Sequence, residues 1–128
     1  MRTLNFICPN CSKLEEVSIF QSSEDMLCRI CKTNYPKINN IARLTGEENY
    51  ADSFGFQWNI FRKTQLDSSI QKPISKDRLF EVTQWNGDLE GQNILEAGSG
   101  AGRFTEVLVK NKANIYSFDY SNAVEANY

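Results

Sequence analysis

The stretch Asn93-Ile94-Leu95-Glu96-Ala97-Gly98-Ser99-Gly100-Ala101-Gly102-Arg103-Phe104 passes from an apolar run through three glycines into a helical pattern. Its first five residues are short and apolar, the texture of a buried parallel strand. Phe104, Val107 and Leu108 then fall on one helical face, which predicts a helix starting at about Ala101 or Gly102. The next apolar run, Asn114 to Phe118, ends on Asp119. Strand, loop, helix and strand in this order make half of a βαβ arrangement, with its ligand-binding loop at the carboxyl end of the first strand. A strand that turns sharply into a helix favours residues that tolerate positive φ, and a ligand approaching the backbone needs side chains out of the way. Asp119, at the tip of the second strand, is placed to accept hydrogen bonds from both hydroxyls of a ribose.

NAD and S-adenosylmethionine both carry such a ribose, so the loop has to discriminate. A dinucleotide fingerprint, G-x-G-x-x-G/A, puts a small third residue against the neighbouring strand. Counted from Gly98, that place is held by Arg103, which is large and charged. The loop reads E-x-G-x-G-x-G instead, from Glu96 to Gly102, and Ile94 to Thr105 resembles motif I of class I methyltransferases, in particular bacterial ones found with polysaccharide biosynthesis enzymes. Ser53 to Trp58 and Phe61 to Asp67 are similar to the segment before that domain. The resemblance implies an S-adenosylmethionine site in which Glu96 helps hold the methionine end. Gly98, Gly100 and Gly102 would shape the pocket floor, with Ser99 where many relatives have cysteine. Asp119 would bind the ribose and Tyr120 would lie against the adenine; packing is an equal reading for Tyr120.

Cys8-Pro9-Asn10-Cys11 and Cys28-Arg29-Ile30-Cys31 form two C-x-x-C pairs at zinc-ribbon spacing. Each pair is a tight turn that aims two thiolates at one point, so Cys8, Cys11, Cys28 and Cys31 can surround Zn²⁺ as a closed tetrahedron, which is a structural rather than a catalytic site. The competing readings are a redox dithiol, though such motifs use a single pair, or two chance pairs. So short a region buries too little apolar surface to fold alone, and metal binding is expected to supply much of its folding free energy. Leu27 to Leu44, with Tyr35-Pro36 soon after the second pair, resembles the end of small zinc-ribbon proteins that activate methyltransferases.

Between these modules, Phe54, Trp58 and Phe61 share one helical face, either as a core stripe or, with Arg62, as a lid. A second helix is predicted from Ser75 as its cap to Asn86-Gly87. The fold class expected is therefore α/β: a zinc ribbon over residues 1–46, a helical linker or lid over 47–90, and an incomplete Rossmann-like domain of class I methyltransferase type over 91–128. No internal repeat is evident. Arg78 and Arg103 read as solvated or structural.

Apolar residues are 41% and charged residues 23% of the 128, as in a soluble globular protein. A net charge of −2 gives no electrostatic indication of nucleic acid. Neither a secretory signal nor a membrane-spanning run is present, so a cytoplasmic protein is expected, in whose reducing surroundings cysteines serve metals. Histidine is absent, so a catalytic base would be a carboxylate, tyrosine or lysine, and no constellation singles one out. The expected activity is methyl transfer to a small-molecule or sugar-type acceptor. A class I domain needs further strands, so a fragment, or a half that pairs with another chain to complete the sheet, is expected, without turnover of its own. Two other readings stand beside it: a non-enzymatic zinc-ribbon adaptor that activates a partner methyltransferase, and a fragment of an NAD-dependent oxidoreductase.

Overall fold

The computed structural model describes residues 4–17, 25–46 and 52–127. The chain divides into two compact units, Met1–Glu47 and Glu48–Tyr128, which combine helices with small two-stranded sheets. The described residues of the first unit form three short antiparallel pairs. Strand β1 (Leu4–Ile7) pairs with β2 (Leu14–Val17), from Leu4 opposite Val17 to Ile7 opposite Leu14. Strand β3 (Met26–Leu27) pairs with β4 (Asn34–Tyr35), and β5 (Lys37–Ile38) pairs with β6 (Ile41–Ala42). The β5–β6 turn is Asn39-Asn40, both at positive φ (51° and 64°), a two-residue turn whose twist matches the strands and which asparagine tolerates. The core is small: Cys8, Met26, Cys28 and Tyr35 are buried, with Phe6 and Ala42 packed against them. The Phe6 and Tyr35 rings meet edge to face, centroids 6.1 Å apart.

The described part of the second unit opens with three helices, α1 (Asp52–Phe61), α2 (Asp67–Ile70) and α3 (Ile74–Thr83). Of the expected stripe on α1, Trp58 is half-buried and Phe61 is exposed; the side chain of Phe54 lies outside the described residues. Helix α3 departs from expectation at both ends. Ser75 is not its cap but lies within the first turn, and its amide and that of Lys76 donate to the carboxylate of Asp67 at 2.8 and 2.9 Å. An acid on a neighbouring element thus does what a local serine was expected to do. The helix closes at Thr83, before Asn86-Gly87, because Gln84 takes the left-handed conformation (φ 56°) and returns its amide to the Phe80 carbonyl.

Next come β7 (Asn93–Ala97), α4 (Arg103–Lys110), β8 (Asn114–Phe118) and α5 (Val124–Asn127). Strands β7 and β8 are parallel, in register from Asn93 opposite Asn114 to Ala97 opposite Phe118. Helix α4 buries Val107 and Leu108 and packs on β8 and α3. The strand was expected to be buried, but only one face is covered among the described residues: Leu95 is 71% exposed and Phe118 53%. Among the described residues no helix is long and apolar enough to cross a membrane.

Candidate functional site

Two arrangements carry chemistry, one in each unit. In the first, the four cysteines occupy the β1–β2 and β3–β4 connections, and their sulfurs all lie within 4.8 Å of one another. Two pairs cross between the connections, Cys8 Sγ to Cys31 Sγ at 3.6 Å and Cys11 Sγ to Cys28 Sγ at 3.8 Å. These lengths are far beyond a disulfide bond. A zinc–thiolate bond of about 2.3 Å implies a tetrahedron edge of about 3.8 Å, which the two cross pairs match. Both turns have the same backbone. The Cys8 amide donates to Lys13 O and Ser12 N returns to Cys8 O; the Cys28 amide donates to Thr33 O and Lys32 N returns to Cys28 O. Ser12 and Lys32 both take positive φ, 55° and 62°. The repeat that the sequence conceals is one of turn geometry.

Around the sulfurs stand polar groups that the cysteine spacing gives no hint of. The Tyr35 hydroxyl lies 3.0 Å from Cys8 Sγ and accepts the Asn10 amide at 3.3 Å. Thr33 Oγ1 is 3.1 Å from Cys31 Sγ and accepts from Asn10 Nδ2 at 2.8 Å. The thiols respond unequally. The Thr33 hydroxyl and amide pull Cys31 down to about 6. Burial opposes ionisation of Cys8, but hydrogen bonds from Tyr35 and from nearby amides outweigh it and hold its pKa below the usual thiol value. At Cys28 the Cys31 amide favours the thiolate, yet burial and the adjacent Cys31 sulfur prevail and push it up to about 12. Cys11 is likewise raised: its backbone bond at Lys13 is outweighed by burial and by Cys31 and Cys8. Bonded to Cys8 and buried, Tyr35 is raised to about 12 and keeps the proton it donates. Four like charges this close cannot all form unaided; a divalent cation among them removes the repulsion, so the donor set fits a metal ion.

In the second unit the bend after β7 borders a hollow of about 480 Å³. Gly98 to Ala101 form one side, with Trp58, Arg62, Arg103, Phe104, Asp119 and Tyr120 around it. Gly98 (φ 73°) and Gly100 (φ 53°) need glycine for their conformation, and among the described residues nothing beyond their chain neighbours lies within 4 Å of where a Cβ would stand at either. Gly102 (φ 91°) is different: a Cβ there would strike the side chain of Asn127. The amides of Gly98 and Ser99 both donate to Phe118 O, at 2.8 and 3.2 Å, which ties the bend to the tip of β8.

Asp119 is turned onto the bend. Its Oδ2 accepts the Gly100 amide at 2.7 Å, and its Oδ1 accepts the amide and hydroxyl of Ser121 at 2.8 and 2.6 Å. A carboxylate has about four acceptor positions, so one of them is left for a ligand and a second would come from displacing Ser121 Oγ. Glu96 is not among the residues lining the hollow. Its Oε2 accepts hydroxyl bonds from Thr105 at 2.6 Å and Ser117 at 2.5 Å, bracing β7 against α4 and β8. The structure thus brings Gly98, Ser99, Gly100, Asp119 and Tyr120 to one hollow, leaves Glu96 outside it and seats Gly102 against α5. Ser121 was not foreseen, although a serine two residues after an acid is a recognisable turn signal. A second recess of about 360 Å³ is lined by Asp67, Lys72, Lys76 and Lys110; Lys110 pairs with Glu106 at 3.0 Å and Asp67 caps α3. No family model, no curated protein and no solved structure matches the chain.

Proposed function

We propose that the second unit binds S-adenosylmethionine in the glycine-bend hollow as part of a class I, Rossmann-like methyltransferase, and that the first unit is a zinc ribbon with a structural ion. The observation that carries the reading is the contact between Asp119 and Gly100, which puts a carboxylate beside a backbone bend free of side chains. A diol at the strand tips would meet that acid, while Tyr120 and Trp58 offer ring faces to a base. Bound there, the cofactor would supply a methyl group carried on a sulfonium. The protein's part is to hold the acceptor in line and to exclude water. No residue of the hollow is assigned as a base, and the acceptor is of small-molecule or sugar type. Glu96 enters as a positioning residue, fixing the strand and helix between which the bend is stretched.

Titration of the zinc-loaded chain with S-adenosylmethionine and, separately, with NAD tests the reading. Saturable binding of the former, at least tenfold weaker in Asp119→Ala and in preference to NAD, is the expected result. Binding to neither, or a preference for NAD, would end it. The non-enzymatic adaptor has one observation in its favour, the exposed apolar pair Leu95 and Phe118, and it predicts zinc binding without cofactor binding.

A further inference from the structure

Helix α3 closes at Thr83, and that early end leaves Asn86-Gly87 outside it. Within a helix the Gly87 amide would be tied to the carbonyl four residues back. Here it is not. On the helix side the Trp85 amide donates to Thr83 Oγ1 at 3.4 Å, and on the strand side the Glu90 amide donates to Asp88 Oδ1 at 3.2 Å. Between them, and among the described residues, neither the Asn86 side chain nor the Gly87 amide has a hydrogen-bond partner. Asn86 is exposed. Gly87 takes the left-handed conformation (φ 85°), and nothing described beyond its chain neighbours lies within 4 Å of where a Cβ would stand.

An asparagine side chain and the amide that follows it are an electrophile and a nucleophile one ring closure apart. A following residue with a Cβ crowds that approach, and glycine does not. No other asparagine of the chain precedes a glycine. Elsewhere the side-chain amides of Asn10, Asn34, Asn111 and Asn114 are also held, by Thr33 Oγ1, Asp25, Val107 O and Gly91 O. We infer that Asn86 is a site of spontaneous modification, at which the folded chain converts asparagine to aspartate and isoaspartate through a cyclic imide. The Gly87 nitrogen gives up its proton and bonds to Asn86 Cγ; the Cγ–Nδ2 bond breaks and ammonia leaves with that proton. Water then opens the imide. Cleavage of the new Cγ–N bond restores the ordinary backbone and leaves an aspartate. Cleavage of the original backbone C–N bond routes the chain through the side chain, as isoaspartate. Either product adds one negative charge to a formal net charge of −2. Isoaspartate also lengthens the backbone by one methylene. Leu89, buried at 4% exposure, accepts the Gln92 amide at 3.0 Å and fixes the end of the loop next to β7, so the added length falls in the exposed residues before it. The site is independent of the cofactor reading.

The zinc-loaded full chain is kept in ¹⁸O-labelled water at neutral and at mildly alkaline pH, beside the same chain unfolded in guanidinium chloride. Peptide mass spectrometry reads label uptake at each asparagine, and electron-transfer fragmentation separates the two products. Uptake at position 86 ahead of every other asparagine, and faster at the higher pH, is the expected result. Because no hydrogen bond has to open there, the folded rate should stay within about tenfold of the unfolded one. Asn86→Gln, whose ring would need six members, should abolish the product. A folded rate lower than that limit would overturn the inference, since the fold would then protect the site. So would uptake led by another asparagine, or an Asn86→Gln chain labelled at position 86 as fast as the natural one.

Discussion

The Asp119 carboxylate and the Gly100 amide, 2.7 Å apart, join the tip of β8 to the bend after β7. This bond joins residues nineteen apart in sequence and belongs both to the fold and to the proposed site. Removing the acid leaves the amide of Gly100 and the amide and hydroxyl of Ser121 in need of acceptors.

Asp119→Ala is therefore expected to destabilise the second unit by about 1–3 kcal/mol, the cost of leaving part-buried donors unpaired. Asp119→Asn, which keeps one acceptor oxygen, should cost less. Urea unfolding followed by tryptophan fluorescence measures both, and equal stability of Asp119→Ala and the natural chain would contradict the assignment.

Gly102 and Asn127 make a second pair. Gly102→Ala adds a Cβ at φ 91° and drives it into the Asn127 side chain, so it should cost more than Gly98→Ala, where the space is open. Pairing Gly102→Ala with Asn127→Ala should recover the steric part and leave the conformational part, about 1–2 kcal/mol. A double variant no more stable than Gly102→Ala alone would contradict the clash.

Tyr35 stands behind Cys8 as a hydrogen-bond donor at 3.0 Å, and such partners commonly change metal affinity by about ten- to a hundredfold. Tyr35→Phe should weaken zinc binding by about tenfold in competition with a chromophoric chelator. The chain should bind one zinc ion, and its cobalt form should show the absorption of a tetrahedral thiolate site. Removing the ion should collapse the amide spectrum of residues 4–17 and 25–46 while leaving that of β7 and β8 in place.

Asp67 carries a pH dependence. Burial opposes its ionisation, but the amides of Ser75 and Lys76 outweigh that and hold its pKa below the usual 3.8. A carboxylate depressed in the folded chain contributes stability that is complete above 3.8 and is lost as pH falls through the lower folded value. Asp67→Asn should remove that acid sensitivity and cost roughly 0.5–2 kcal/mol near neutrality, the range for a lost helix cap. An unchanged acid limb in thermal melts from pH 5 to 2 would refute it.

What the chain announces in one dimension and what it hides have physical causes. The cysteines are legible because a C-x-x-C turn delivers its own two sulfurs, and the glycine bend is legible because its conformation demands the residue type. Asp119 follows from its place at a strand end. Tyr35, Thr33 and Asn10 are illegible because they reach the sulfurs across a pairing of strands, and polar residues of their kind occur everywhere. Ser75 misled for a related reason: a local cap signal lost to Asp67, whose carboxylate arrives from another element. Asn93 to Ala97 was expected to be buried because its composition records only that the strand is apolar, not whether anything covers Leu95. Glu96, expected at a ligand, is held by Thr105 and Ser117 instead.

The matching turns at Cys8 and Cys28 supply two sulfurs each, and sulfurs of one turn approach those of the other to 3.6 and 3.8 Å. Neither hairpin can saturate a tetrahedral ion by itself, so half of the site has little hold on metal. Occupancy and the joining of the two hairpins become a single event, and the first unit should respond to metal as a clasp that is shut or open, with no stable position between.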